Sequence, residues 1–336
     1  MRVFSIVLYI AAALTASVSA ASGESRELIL IHPGASGSLY DVSAAEFGRR
    51  LDQQLRPSYR VTVTANPALG DGLALLDSVK NGRAAFVLAS SAMVSVSDSF
   101  GIFELPFLIR SREQLRSVRD GLLTAYLEPE AEKKGFHILG VWENGFRHLT
   151  NDIRPIRRPE DLKGLKIALP PANIWREKLL LAFGADPVPM ASRALPDALR
   201  TQIVDGQEAP LTDIAAWHLE QMQRHLSLSD HLYSPAFLVT SKAEFDVLPA
   251  KVREIIGREA RGMEPWIQST AIRMESELVD RLDQTMEVGQ VDENAFEAVS
   301  RPLYGDFIRA VPGGSKMIEI LQSAGGMAGS RHSAGN

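Results

Sequence analysis

The chain contains no cysteine in its 336 residues. That excludes a disulfide framework, a thiolate metal site and a lipid attached to an N-terminal cysteine. A basic cluster is missing as well. The 36 lysines and arginines stand against 41 aspartates and glutamates, a balance that argues against nucleic acid or an anionic membrane as a partner. Past the N-terminus there is no apolar run long enough to cross a bilayer. Catalytic signatures are also scarce. The loop Gly34-Ala35-Ser36-Gly37-Ser38 lacks the glycine that a nucleophile elbow places two residues after its serine. His218 and His225 lie near Trp217 and Glu220 but form no H-E-x-x-H pattern, and a solvated or packed role suits them better. There is no P-loop and no dinucleotide fingerprint. Chemistry on a substrate is therefore not expected, nor is a cofactor or a metal.

Compartment is written at the start of the chain. Met1-Arg2 is followed by the apolar stretch Phe4 to Ala16 and by Val18-Ser19-Ala20, which together read as a secretory signal peptide over residues 1–20. The expected location is the periplasm. The remainder is long enough for two lobes of ordinary domain size.

Short β-rich runs alternate with helical patterns along the chain, which indicates an α/β fold. Strands are predicted at Glu27–His32, Tyr59–Ala65, Ala85–Ala89, Phe136–Trp142, Leu165–Leu169 and Ala236–Thr240, and helices at Leu39–Leu55 and Gly70–Asn81. From Pro249 to Glu287 apolar residues such as Val252, Ile256, Ala260, Met263, Ile267, Ala271, Leu278 and Leu282 recur at steps of three or four. That spacing predicts one long amphipathic helix or two in series, kinked where Pro265 removes a backbone donor. The tail 323–336 shows glycine without periodicity and is expected to be disordered.

The most specific stretch runs from Trp142 to Pro210. It holds W-E-N-G-F-R-H-L-T-N (Trp142–Asn151), R-P-E-D-L-K-G-L-K-I-A-L-P (Arg158–Pro170), G-A-D-P-V-P-M (Gly184–Met190) and V-D-G-Q-E-A-P (Val204–Pro210). Leu69-Gly70-Asp71 and F-E-L-P-F-L (Phe103–Leu108) precede it, and L-S-L-S-D-H-L-Y-S-P follows it. In this order the pieces resemble the dicarboxylate-type solute receptors of TRAP transporters, over about residues 27–310. The resemblance implies a two-lobed periplasmic binding protein fold of class II-like type, with lobes joined by hinge strands and a long helix. It assigns 24–146 plus 236–272 to lobe I and 147–235 plus 273–322 to lobe II. The chain would cross between lobes near Gly145–Leu149 and again near Ser234–Val239. The role implied is capture of a small-molecule solute, an organic acid, in the cleft, and its delivery to a permease of one small and one large membrane subunit driven by an ion gradient. The alternative of a sensory protein read by a membrane kinase stays open; a periplasmic hydrolase would need a nucleophile or metal set that is not visible.

Where the family usually carries K-I-R or K-M-R, this chain has Lys166-Ile167-Ala168, so the arginine that grips the ligand carboxylate is absent. The family's second arginine matches Arg147, which suits a carboxylate unless it forms an ion pair with a neighbour such as Glu143. Arg176, beside Trp175, is the nearest substitute for the missing donor; a solvated helix arginine is the alternative reading. Gly72, Ser90, Ser192 and Ala209 stand where relatives place larger side chains, and Asp71, Ser36 and Phe146 complete the expected lining. Small residues at so many positions imply a wider, less polar pocket with Trp175 or Phe146 packing on the ligand, and a ligand bulkier or less polar than a short dicarboxylate.

Overall fold

The computed structural model describes residues 25–66, 73–115 and 118–332. The signal segment 1–20 and the Leu69–Gly72 loop, with Asp71 and Gly72, lie outside the described residues.

Lobe I opens with β1 (Arg26–His32), α1 (Leu39–Leu55), β2 (Tyr59–Ala65), α2 (Leu73–Lys80) and β3 (Phe86–Ala89). Ser38 caps α1 by accepting from the Asp41 amide, and Leu39, Ala44, Phe47, Leu51 and Leu55 bury one face of the helix, the stripe expected of an amphipathic helix on a sheet. Gly48 is required there, because a Cβ would come within 2.5 Å of Val63 Cγ2 on β2. After α3 (Glu128–Lys133) comes β4 (Phe136–Asn151), which leads into lobe II. That lobe contains β5 (Lys166–Leu169), α4 (Ile174–Ala182), β6 (Asp186–Pro189), α5 (Leu195–Arg200), β7 (Gly206–Pro210) and α6 (Leu211–Ala216). Next, β8 (His225–Ser241) returns to lobe I, where α7 (Lys242–Asp246), α8 (Ala250–Gly262) and α9 (Glu264–Leu282) follow. The described chain ends with β9 (Glu287–Gln290), α10 (Glu293–Ala310) and α11 (Gly314–His332).

The nine strands of the described residues form one sheet in the order β2-β1-β3-β8-β4-β7-β5-β6, with β9 on the far half of β8. The antiparallel pair β4 and β8 runs through both lobes, from Phe136↔Ser241 to Asn151↔His225. Its register slips between Ile138 and Gly140, Glu143 and Gly145, and Arg147 and Leu149. Bulges of this kind bend and twist a ribbon locally; the first lies within lobe I, beside Leu139 and Trp142 of its cluster, and the other two fall where the chain passes from one lobe to the other.

Alternation along the strands sorts the core onto two faces. On one face a single apolar cluster runs from Leu75, Val87 and Phe100 in lobe I to Ile167, Leu179 and Phe183 in lobe II. The other face carries two separate clusters. Leu28, Phe47, Leu88 and Trp142 belong to lobe I; Ala168, Leu199, Val204 and Ile214 belong to lobe II. Continuous packing behind and divided packing in front leave a cleft on the front face.

The long helical region resolves into two helices. α8 stops at Gly262 and α9 starts at Glu264 with Pro265 in its first turn, a position where proline lacks no needed donor. Pro265 thus begins a helix instead of bending one, and the break packs on lobe I, where Trp142 Nε1 donates to Ala260 O at 2.8 Å. Across the hinge, α9 places Ile267 and Ala271 in the lobe I cluster and Leu278 and Leu282 in that of lobe II.

Two sequence expectations need correction. The region 273–322 does not belong to lobe II throughout, because Gln114 of lobe I donates from Nε2 to Leu321 O at 3.0 Å. Met317 and Leu321 of α11 also join Val118 and Leu122 in one cluster. Nor does structure end at Ser323, since α11 continues to His332. A helix already anchored by Met317, Ile318 and Leu321 adds a backbone bond for each residue it extends, which repeated glycine weakens without preventing. Residues 333–336 lie outside the described part.

Candidate functional site

The front cleft encloses about 820 Å³ including its open mouth, between Pro33, Tyr40 and Ser91 of lobe I and Ala168, Ala209 and Trp217 of lobe II. Asn144 and Arg147 of β4 both line it, although an odd separation on a regular strand would put them on opposite faces. The bulge at Gly145 resets the alternation. Gly145 has φ +106°, a backbone conformation that favours glycine, and a Cβ there would lie 2.8 Å from Glu275 Oε1, so any larger residue would also have to displace that side chain. The same reset turns Phe146 out of the cleft, onto Tyr233 at 5.1 Å and under the guanidinium of Arg112 at 5.4 Å.

Arg147 is at the cleft wall, but its fork is already engaged. Nε donates to Glu208 Oε2, Nη2 to Glu208 Oε1 at 3.0 Å and to Glu208 O at 2.6 Å, and Nη1 to Ser234 Oγ at 3.2 Å. A guanidinium carries five N–H donors. One, on Nη1, is left for a ligand. The ion pair considered from the sequence therefore exists, with Glu208 as its partner; Glu143 binds Arg112 instead.

Glu208 is itself buried and also accepts from Arg176 Nη1. Burial opposes its ionisation, yet Arg147 and Arg176 together hold its carboxyl well below the usual carboxylate range. Arg176 reaches onward from Nε to Glu104 Oε2 at 2.5 Å and is only 2% exposed. It is neither a solvated helix arginine nor a donor in the cleft. Trp175 is likewise buried, against Gly101 and edge-on to Phe307 at 5.3 Å. Asn173 caps α4 by accepting from the Arg176 amide, and this start turns both residues toward the continuous rear core.

Other expected positions divide in the same way. Ala168, Ser192 and Ala209 line the cleft. Ser90 faces a small cavity beside Glu104 and Arg176, and its neighbour Ser91 takes the cleft position. Ser36 is exposed on a separate groove with Thr212 and Met274. Asn144, Asp213, Trp217 and Tyr40 line the cleft and were missed in the sequence. Asp213 and Trp217 lie four residues apart where α6 begins and ends, a spacing that puts them on one side; that was the available signal. Away from the cleft, Glu128, Glu132 and His137 are the one group among the described residues that could converge on a cation. Lys242 Nζ already lies 3.7 Å from Glu132.

Two buried histidines border the site. His231 packs Nδ1 against Ser229 Oγ at 2.8 Å, and burial lowers its pKa. In His148, burial first, then the charges of His231 and Arg147, lower the pKa from 6.5 to about 3. Between those two values the unfolded chain binds more protons than the folded one, so stability is lost as pH falls through this window. In denaturant titrations across it, His148→Phe is expected to flatten the slope by up to about 1.4 kcal/mol per pH unit. An unchanged slope would show that His148 protonates without unfolding.

Residues 32–310 match the model of the bacterial extracellular solute-binding protein family 7, the DctP family. The chain belongs to that family. This solute-binding protein is 28% identical to the 2,3-diketo-L-gulonate-binding periplasmic protein of Escherichia coli K12, over 83% of this chain and 86% of that one. A TRAP periplasmic solute-binding protein from Polaromonas, solved with D-erythronate, is 30% identical, with TM-score 0.82 over 88% of this chain and 98% of its own. The galactonate complex of the sugar acid binding protein from Advenella mimigardefordensis is 26% identical, with TM-score 0.81 over 90% and 98%. The two-lobed α/β fold and the role of TRAP-type solute receptor follow. Among the described residues, no helix of this receptor is long and apolar enough to cross a membrane.

Proposed function

We propose that this receptor captures a small organic acid in the front cleft and closes its lobes about the β4–β8 hinge. The closed form would present the solute to the small and large subunits of a TRAP permease. Export through removal of residues 1–20 would place it in the periplasm. The observation that carries the ligand class is the one N–H of Arg147 left over from its bonds to Glu208 and Ser234, on a residue that is the one arginine lining the cleft among the described residues. Relatives named for 2,3-diketo-L-gulonate, D-erythronate and galactonate, each an organic acid, support it. Ala168 and Ala209, with Leu169, Met190 and Leu195, make the lobe II wall largely apolar, which favours a ligand with more carbon surface than a short dicarboxylate.

A thermal-shift screen over hydroxy acids, sugar acids, aromatic acids and neutral solutes tests the class. An acid at a hundred times its dissociation constant should add about 2.7 kcal/mol of stability; a response confined to neutral solutes would refute the proposal. Ala168→Arg is expected to weaken the best acid by about tenfold or more, because it fills space the ligand uses. A comparable gain in titration calorimetry would mean the pocket still suits the usual anchor.

A further inference from the structure

The segment from Glu128 to His137 brings three metal-ligating side chains together away from the cleft. α3 carries Glu128 and Glu132 one turn apart, a spacing that puts both carboxylates on one side. The chain then reverses through Gly135, whose φ of +81° suits glycine, and Gly135 N donates to Glu132 O at 2.9 Å. His137 follows at the start of β4, held in the sheet opposite Thr240. Its ring stacks on Phe245 at 5.0 Å, which fixes where Nδ1 points. That nitrogen is buried and has no hydrogen-bond partner among the described residues. Glu132 Oε1 stands 3.5 Å from it and Glu128 Oε1 3.6 Å. An imidazolium paired with one carboxylate would close to about 2.7–2.9 Å; here the nitrogen stands off almost equally from both. Bonds of about 2.1 Å at tetrahedral angles hold the ligands of one ion about 3.4 Å apart, so the two observed separations fit a shared ion.

We propose that Glu128, Glu132 and His137 bind one zinc ion, with solvent as the fourth ligand. An imidazole nitrogen with two carboxylate oxygens suits zinc better than calcium or magnesium, which take oxygen ligands in larger number. Glu128 and His137 border a groove between β4 and α8, which gives the ion a path in. Lys242 Nζ competes from 3.7 Å for Glu132 Oε1, but its nearer partner is Asp246 Oδ2 at 3.0 Å, and its flexible stem lets it remain there. None of the three ligands lines the solute cleft, so the site does not depend on what the receptor carries. The bound ion would clamp the end of α3 onto β4 and stabilise lobe I.

Calorimetric titration of zinc chloride into untagged, EDTA-treated protein tests the site. The expected result is a single ion bound with micromolar affinity, and a melting temperature that rises with zinc, because the ligand set is assembled only in the folded chain. His137→Phe keeps a ring on Phe245 and removes the nitrogen; it should weaken binding at least about tenfold and abolish the rise in melting temperature. Glu128→Gln, at a half-exposed helix position, should also weaken binding and tests the site even if His137→Phe folds poorly. Lys242→Met should tighten it by removing the competing cation. Cobalt in place of zinc should give the intense visible absorption of a four-coordinate site in wild type, and lose it in His137→Phe. No binding at submillimolar zinc overturns the proposal. Zinc that binds wild type, His137→Phe and Glu128→Gln equally well is an adventitious ion only, and overturns it too.

Discussion

Glu208→Ala is expected to destabilise the protein by about 3–5 kcal/mol, the cost of leaving a buried ion partner uncompensated. Glu208 stands between Arg147 and Arg176, and its carboxylate is 1% exposed. Removing it strands two guanidiniums near the centre of the sheet with Glu104 as the remaining anion of the chain. Denaturant titration at neutral pH measures the loss. Glu46→Gln is the control: it breaks pairs with Arg49 and Arg50 on the outer side of α1, where each bridge is worth at most about 1 kcal/mol. Equal losses from the two variants would mean that the Glu208 cluster is solvated and contributes no more than a surface pair.

Arg147→Ala is the second large effect, and it acts on ligand affinity. Truncating one side of a buried charged contact costs about 2–5 kcal/mol, or about 30- to 5000-fold in affinity. Calorimetry with the best organic acid from the screen reads this directly, and undiminished affinity would remove Arg147 from the site. Because Glu208 keeps Arg176, the stability loss should be smaller than for Glu208→Ala. Arg176→Met should reverse the balance, with stability falling through the loss of Glu104 and Glu208 contacts and affinity changing little. The contrast distinguishes a binding arginine from a supporting one.

Much of the architecture was legible because it is local. The α1 stripe, the alternation in β2 and the apolar run of β3 appear in the structure at their predicted positions. The strands that were missed, β6, β7 and β9, are short and carry no period of their own. β6 contains two prolines in four residues, a composition tolerated at the sheet edge where it lies. The long antiparallel pair was recognised in pieces, because bulges break its alternation in the segments that form the hinge.

The motifs in the chain carried the resemblance to the receptor family, and through it the expected hinge segments, the absent arginine at Ala168 and the small residues at Ser192 and Ala209. Those are properties of residue type and order. Which side chains face the cleft depended on rotation about strand and helix axes, and that only the tertiary structure decided. The Gly145 bulge turned Asn144 and Arg147 inward and Phe146 outward, while the capped start of α4 turned Trp175 and Arg176 into the rear core. Arg147 was identifiable from its motif, but its commitment to Glu208, 61 residues away, was not. Long-range pairing of buried charges follows from how the elements pack, and no local pattern encodes it.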